Sequence, residues 1–171
     1  MNTSILTINL AGNFDAGAAI IAGLLGAVAM LVVIYGGRAM GMTSMDLLRT
    51  LGTMVSPGAD GSRVYGIGAA IHLMMGAAFG LIHAGLLHAA GPSTDGEAIG
   101  LGALFGLGHG IVVTVAMPMM LTMAHPLVRN NTMQAPGTAM TGFGPMTPVG
   151  ITMAHVVYGL VAGAIYTAIV G

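Results

Sequence analysis

Four long apolar stretches dominate the chain, and short segments between them hold most of the charged residues. The stretches cover about 16–35, 64–90, 98–124 and 149–170. Each has the roughly 20 apolar residues that a helix needs to span the hydrocarbon core of a bilayer. The pattern therefore predicts an all-α fold, in which four transmembrane helices form a bundle and residues 1–171 make a single integral membrane domain.

The second and fourth helices carry the same pattern of small and polar residues. Aligned on His72 and His155, both read His-x3-Gly-x3-Gly-x2-(His/Tyr), through Gly76, Gly80 and His83 in one helix and Gly159, Gly163 and Tyr166 in the other. This spacing places the residues of each motif on one helix face. Because Gly-x3-Gly lets helix backbones approach closely, we expect the second and fourth helices to pack against each other.

Further matches extend this duplication along the chain. At an offset of 80 residues, Asp15 matches Asp95 and Arg49 matches Arg129, and after a one-residue slip Thr-Met-x-x-Pro-Gly recurs at 53–58 and 132–137. These matches predict a tandem two-helix repeat over about 15–90 and 95–171. Because the repeats run in the same direction, we expect their pseudo-twofold axis to lie along the membrane normal.

Composition and charge define the surroundings of the bundle. Hydrophobic residues make up 56% of the chain and charged residues 5%, which leaves too little polar surface for a water-soluble domain. The lipid bilayer is thus the expected partner, and the few basic residues argue against nucleic-acid binding. The arginines all lie between helices one and two or between helices three and four: Arg38, Arg49, Arg63 and Arg129. The positive-inside bias predicts a multi-pass protein whose arginine segments lie in the cytoplasm and whose termini both lie outside.

The segments on the arginine side differ between the two repeats. Met42, Met45, Leu48 and Leu51 recur every three residues, which predicts a short interfacial helix that begins near Thr43. The corresponding region, 126–148, is rich in Pro, Gly, Asn and Thr. That composition predicts an ordered loop or a re-entrant cap.

Histidine and methionine are the candidate ligands. From the rise of about 1.5 Å per residue, His72 and His155 lie roughly 10 Å into the membrane, on the cytoplasmic side. Met117 reaches a similar level and Met120 lies slightly nearer the interface. Ionisable side chains inside a bilayer usually face the protein interior and often mark a function. His109 lies deeper than these residues, and His125 lies at the interface.

The chemistry of these side chains favours copper. The chain has no cysteine, so a metal must use His, Met, carboxylate or backbone oxygen. Imidazole binds several transition metals, and the soft thioether selects copper(I). We expect a metal site at His72 and His155, with further candidate ligands in Met117, Met120, His109 and His125. The protein would bind or translocate the metal, or serve as an accessory subunit of a membrane redox complex.

Three alternatives stay open. Two histidines at one height also suit a b-type haem, which ranks below a bare ion because the Gly-x3-Gly faces draw the helices together. Without a metal or cofactor, the histidines would hydrogen-bond neighbouring helices in a structural subunit, a homo-oligomer or a larger membrane complex. His72, His109 and His155 could also line a proton or substrate path. No set of residues indicates a catalytic reaction.

Four local motifs stand out along the chain. They are Gly-Met-x-x-Met-Asp at 41–46, His-Pro-Leu-Val-Arg at 125–129, Ala-Pro-Gly at 135–137, and His155 with Tyr158-Gly159. On these residues the chain resembles a family of small prokaryotic four-helix, His- and Met-rich integral membrane proteins. The resemblance implies the same topology and a location in a prokaryotic cytoplasmic (inner) membrane, and it implies no particular activity.

Overall fold

The computed structural model describes residues 14–171, and about 80% of them are helical. In chain order the elements are α1 (Ala16–Ala39), α2 (Leu47–Val55), α3 (Gly61–Ala90), α4 (Asp95–Ala124), α5 (Pro126–Arg129), a 3₁₀ segment (Thr138–Phe143) and α6 (Thr147–Val170). Within the described residues, four helices are long and apolar enough to cross a bilayer: α1, α3, α4 and α6. Each contains one of the apolar stretches predicted from the sequence.

Local capping sets where the long helices begin and end. The Asp15 side chain accepts a hydrogen bond from the Ala18 amide at 2.9 Å, and Thr94 accepts one from the Glu97 amide at 3.2 Å. These side chains bond amides that a first helical turn leaves without partners. At the other end of α3, Gly91 adopts a left-handed conformation (φ 61°), which ends the helix.

The glycine faces pack inside two helix pairs. In the first pair α3 lies against α1, and Gly76 and Gly80 both approach Gly23. In the second pair α6 lies against α4, and Gly159 and Gly163 both approach Gly102. The prediction that the second and fourth helices pack together through these faces is wrong. Each face instead finds a partner face of small residues on the long helix that precedes it in the chain.

The two pairs then join on one side only. α1 packs closely along α6, where an added Cβ on Gly26 would lie 2.9 Å from the Tyr158 ring. By contrast, α3 and α4 touch at few points, although they follow each other in the chain. The separation of α3 from α4 leaves a cavity within the bundle.

Asp46 holds together the end of the bundle that carries Arg38, Arg49, Arg63 and Arg129, which we call the arginine end. Its carboxylate caps α2 through the Arg49 amide at 3.2 Å, so α2 begins at Leu47 and the predicted start near Thr43 is wrong. Asp46 also pairs with Arg38 and accepts hydrogen bonds from the hydroxyls of Tyr35 (2.9 Å) and Tyr65 (2.8 Å). Burial opposes its ionisation, but these donors outweigh burial and hold the pKa of Asp46 below its ordinary value.

The segment between α5 and α6 packs onto the same end of the bundle. Its 3₁₀ segment contacts α4 and α6. It buries Met140 and Phe143 in the larger of two apolar cores, which also contains Met30, Leu121 and Tyr158. Ala139 and Met140 adopt positive φ values of 50° and 67°, an uncommon conformation for residues with a side chain. The backbone turn at these residues places the Met140 side chain in the core, where it is fully buried.

Candidate histidine and methionine cavity

A cavity of about 190 Å³ lies between α3 and α4. Residues of α1, α2 and α6 complete its lining. Most of its wall is apolar, and its chemically distinctive residues are His72, His109, His155, Tyr158, Met30, Met75, Met117 and Met120. The structure therefore brings five of the six candidate ligands from the sequence to one cavity. The sixth, His125, lies elsewhere.

His72 reaches the cavity from the buried face of α3. Its Nε2 lies 3.0 Å from the carbonyl oxygen of Ala27 on α1, to which it donates a hydrogen bond. The donation assigns the proton to Nε2 and leaves the lone pair of the neutral ring on Nδ1.

His155 has the same arrangement with its two nitrogens exchanged. Its Nδ1 donates to the carbonyl oxygen of Ile151, 2.8 Å away and one turn earlier on α6, so the lone pair lies on Nε2. Histidines that bind metals usually donate their other ring N–H to a carbonyl or a carboxylate, which fixes the tautomer. Both His72 and His155 meet this condition.

His109 lies between the other rings. Its centroid is 4.6 Å from that of His155 and 4.0 Å from that of Phe79. Both of its ring nitrogens are buried and have no hydrogen-bond partner among residues 14–171. A buried imidazole without partners is unusual, because a polar group removed from water loses its hydrogen bonds.

Sequence reasoning missed His83 as a functional candidate. Its ring centroid is 5.7 Å from that of His109, and its buried Nδ1 has no partner within the described residues. The signal was present in the sequence, because His83 lies on the same helical stripe as His72. Because His83 follows His72 by 11 residues, or about 16 Å along the helix, it looked remote from the other candidate ligands.

The methionines come from three helices. Met30 of α1 is 8% exposed, whereas Met75 of α3 and Met120 of α4 are about 40% exposed beside the gap between those helices. Met117 of α4 is partly buried and packs against the larger apolar core. Methionine thioethers thus lie on both sides of the gap between α3 and α4.

His125 has a structural position away from the cavity. Its Nε2 donates to the carbonyl oxygen of Thr50 at 3.0 Å, and its Nδ1 accepts from the Leu127 amide at 3.2 Å. The side chain is fully buried between the end of α4 and α2. With both nitrogens bonded to the protein, the neutral ring has no lone pair left for a metal.

The donor set is soft and nearly free of charge. In the part of the chain that the structure describes, no three His, Asp or Glu side chains group closely enough to hold a metal among them. The cavity therefore offers imidazoles and thioethers without a carboxylate.

Comparison with protein families, with curated proteins and with solved structures finds no match for this chain.

Proposed function

We propose that the chain spans a prokaryotic cytoplasmic membrane as two tandem helix pairs, related by a pseudo-twofold axis along the membrane normal. Matching glycine contacts support the repeat: Gly23 lies against the Gly76 carbonyl and Gly80, as Gly102 lies against the Gly159 carbonyl and Gly163. The positive-inside bias puts the arginine end in the cytoplasm and both termini outside. On this orientation the cavity belongs to the cytoplasmic half of the bundle.

Within this bundle the protein binds copper(I). The observation that carries this proposal is a single cavity that three imidazoles and four methionine side chains line. His72 and His155 are each fixed by a hydrogen bond from one ring nitrogen to a backbone carbonyl. Thioethers select copper(I), whereas hard cations such as magnesium and calcium need oxygen ligands. Copper(I) also accepts low coordination numbers, so it does not need a group of three histidines or carboxylates.

The ligands in this proposal are His72 and His155, assisted by Met117 or Met120. His109 is the third imidazole of the same cavity and lies next to His155. The role is metal binding or translocation across the membrane, or service as an accessory subunit of a membrane redox complex.

The test is anaerobic titration of copper(I) against a colorimetric chelator, with detergent-purified protein that has met no affinity metal. Wild type is expected to bind copper(I) stoichiometrically, and the double variant His72→Ala/His155→Ala is expected to lose the equivalent that these two residues hold. His88→Ala is the matched control, because His88 bonds Tyr166 at 2.7 Å, away from the cavity. Copper content that is unchanged in the double variant, or a wild type that binds no copper, overturns the proposal.

Two volume-conserving variants test the proposal if the double variant does not fold. Met117→Leu and Met120→Leu nearly conserve volume, a kind of exchange that cores usually tolerate. Because leucine lacks the sulfur, at least one of these variants is expected to weaken copper(I) binding while the fold persists. Full affinity in both would remove the methionines from the proposed ligand set.

A structural subunit is the second candidate, and the absence of a three-residue His, Asp or Glu group in residues 14–171 favours it. Under that reading, substitutions at the histidines impair assembly in a protein that binds no metal. A b-type haem ranks lower, because the cavity of about 190 Å³ is smaller than the roughly 300–1,000 Å³ usual for cofactor pockets. A Soret band in the purified protein would reverse that order.

A further inference from the structure

We infer that His83 and His109 form a second copper(I) position, deeper in the bundle than the His72/His155 position, and that the protein therefore translocates the ion. This inference rests on the proposed copper function and extends it. The observations behind it are the separation of two rings, three unpartnered nitrogens and the place of His109 between its neighbours.

The separation of the rings suits one shared ion. A metal bound to an imidazole nitrogen at about 2.0 Å lies roughly 3 Å from the ring centroid, so two imidazoles on one ion have centroids about 5–6 Å apart. The centroids of His83 and His109 are 5.7 Å apart. The two rings come from different helices, α3 and α4, on the two sides of the gap.

The nitrogens of these rings lack other partners. Nδ1 of His83 and both nitrogens of His109 are buried without a hydrogen bond within residues 14–171, and His83 as a whole is 3% exposed. The Tyr158 ring lies edge-on to both histidines, at centroid distances of 5.2 Å from His83 and 6.3 Å from His109. Its hydroxyl is committed to the Gly76 carbonyl. A bound cation would engage a lone pair on each histidine.

His109 connects the two positions. Its centroid is 4.6 Å from His155 on one side and 5.7 Å from His83 on the other. An ion that leaves the His72/His155 position therefore has the His83/His109 position as its immediate neighbour. His83 follows His72 by 11 residues on α3, or about 16 Å along the helix axis. These imidazoles thus span about half of the roughly 30 Å hydrocarbon core.

The experiment counts copper(I) equivalents and follows flux in the same variants. Wild type is expected to bind a first and a second equivalent in the anaerobic chelator titration. His83→Ala is expected to lose the second equivalent and keep the first with its affinity unchanged. In proteoliposomes that enclose a copper(I) chelator, His83→Ala is also expected to lose copper(I) uptake, whereas His88→Ala keeps both equivalents and the uptake.

The outcomes separate this inference from the proposed function. A wild type that binds no copper(I) ends both. One equivalent in wild type and in His83→Ala, with loss only in His72→Ala/His155→Ala, keeps the first site and overturns the second. His83→Gln guards against misfolding, because it retains a polar side chain of similar reach: a folded His83→Gln that keeps the second equivalent overturns the assignment of His83 as a ligand.

Discussion

The hydroxyl of Tyr158 donates a hydrogen bond to the carbonyl oxygen of Gly76, 2.7 Å away, and joins α6 to α3 beside the cavity. These two helices otherwise touch at few points. The same tyrosine ring packs against Gly26 of α1. Tyr158 therefore links three helices at the level of the candidate ligands, one turn after His155 on α6.

Tyr158→Phe is expected to lower the free energy of unfolding by about 1 kcal/mol, because it removes one buried hydrogen bond between helices and conserves the ring. Titration of detergent-solubilised protein with dodecyl sulfate, followed by circular dichroism, measures the change. Thr122→Val is the control, since the Thr122 hydroxyl bonds only the Pro118 carbonyl of its own helix and is exposed. Equal losses in the two variants would contradict a role for Tyr158 between helices.

Gly102→Ala is expected to destabilise the bundle by about 1–3 kcal/mol, the usual cost of overpacking a tight interface. Its new Cβ would overlap the carbonyl of Gly159, and backbone cannot move aside as a flexible side chain can. Gly108→Ala on the same helix meets nothing within 4 Å and gains helix propensity. The same unfolding titration compares the two, and a Gly102→Ala as stable as Gly108→Ala would refute the pairing of α4 with α6.

Asp46→Asn is expected to cost of the order of 1–2 kcal/mol at neutral pH and to remove part of the acid sensitivity of the protein. The pKa of Asp46 is lowered in the folded state, so its stabilisation is fully present above the ordinary aspartate pKa and is lost as pH falls through the lower folded-state value. Asparagine retains a capping oxygen, so the comparison isolates the charge.

Asp60→Asn is the matched control for Asp46, because Asp60 precedes α3 without a side-chain capping bond. Thermal unfolding from neutral to acid pH should show that wild type and Asp60→Asn lose stability together. Asp46→Asn should lose less over the same range. Parallel curves for all three proteins would count against the Asp46 network.

His125→Ala is expected to destabilise the fold by about 2–4 kcal/mol, because it opens a cavity and removes the buried hydrogen bonds of the ring to the Thr50 carbonyl and the Leu127 amide. Copper(I) stoichiometry should not change, since His125 lies outside the cavity. The two readouts are thermal unfolding in detergent and the anaerobic chelator titration. A stable variant that loses copper would return His125 to the set of ligands.

The absence of cysteine permits a clean test of orientation. Ser62→Cys and Ser93→Cys place single thiols at exposed sites at the start of α3 and in the connection after it. In spheroplasts, a membrane-impermeant maleimide is expected to label Ser93→Cys at once and Ser62→Cys only after permeabilisation. The reverse pattern would invert the topology, and immediate labelling of both would contradict a spanning α3.

Hydropathy alone locates the four long helices, because an apolar run of this length leaves few alternatives to a helix whose backbone groups bond one another. The stripe through His72, Gly76, Gly80 and His83 is indeed the buried face of α3. The partner of that face could not be predicted. Glycine faces match any small-residue surface, and Gly23 on α1 provided one as suitable as Gly159.

The candidate site, too, could be predicted from the sequence only in part. Helical phase and depth singled out His72, His155 and Met117, and the structure places all three around one cavity. Metal binding there stays a prediction. His125 was a further candidate ligand in the sequence, yet its nitrogens bond protein groups. His83 was not a candidate, although it lies beside His109.

The sequence by itself determined the apolar character of the chain, the number of long helices and the residues on their buried faces, because composition and periodicity are properties of single segments. Only the tertiary structure decided which helix faces pack together. In it α1 packs along α6, whereas α3 and α4 are separated, and this separation creates the cavity. These outcomes depend on backbone contacts of a few ångströms between distant segments. Many pairings of small-residue faces satisfy the same pattern, and packing the whole bundle selects one.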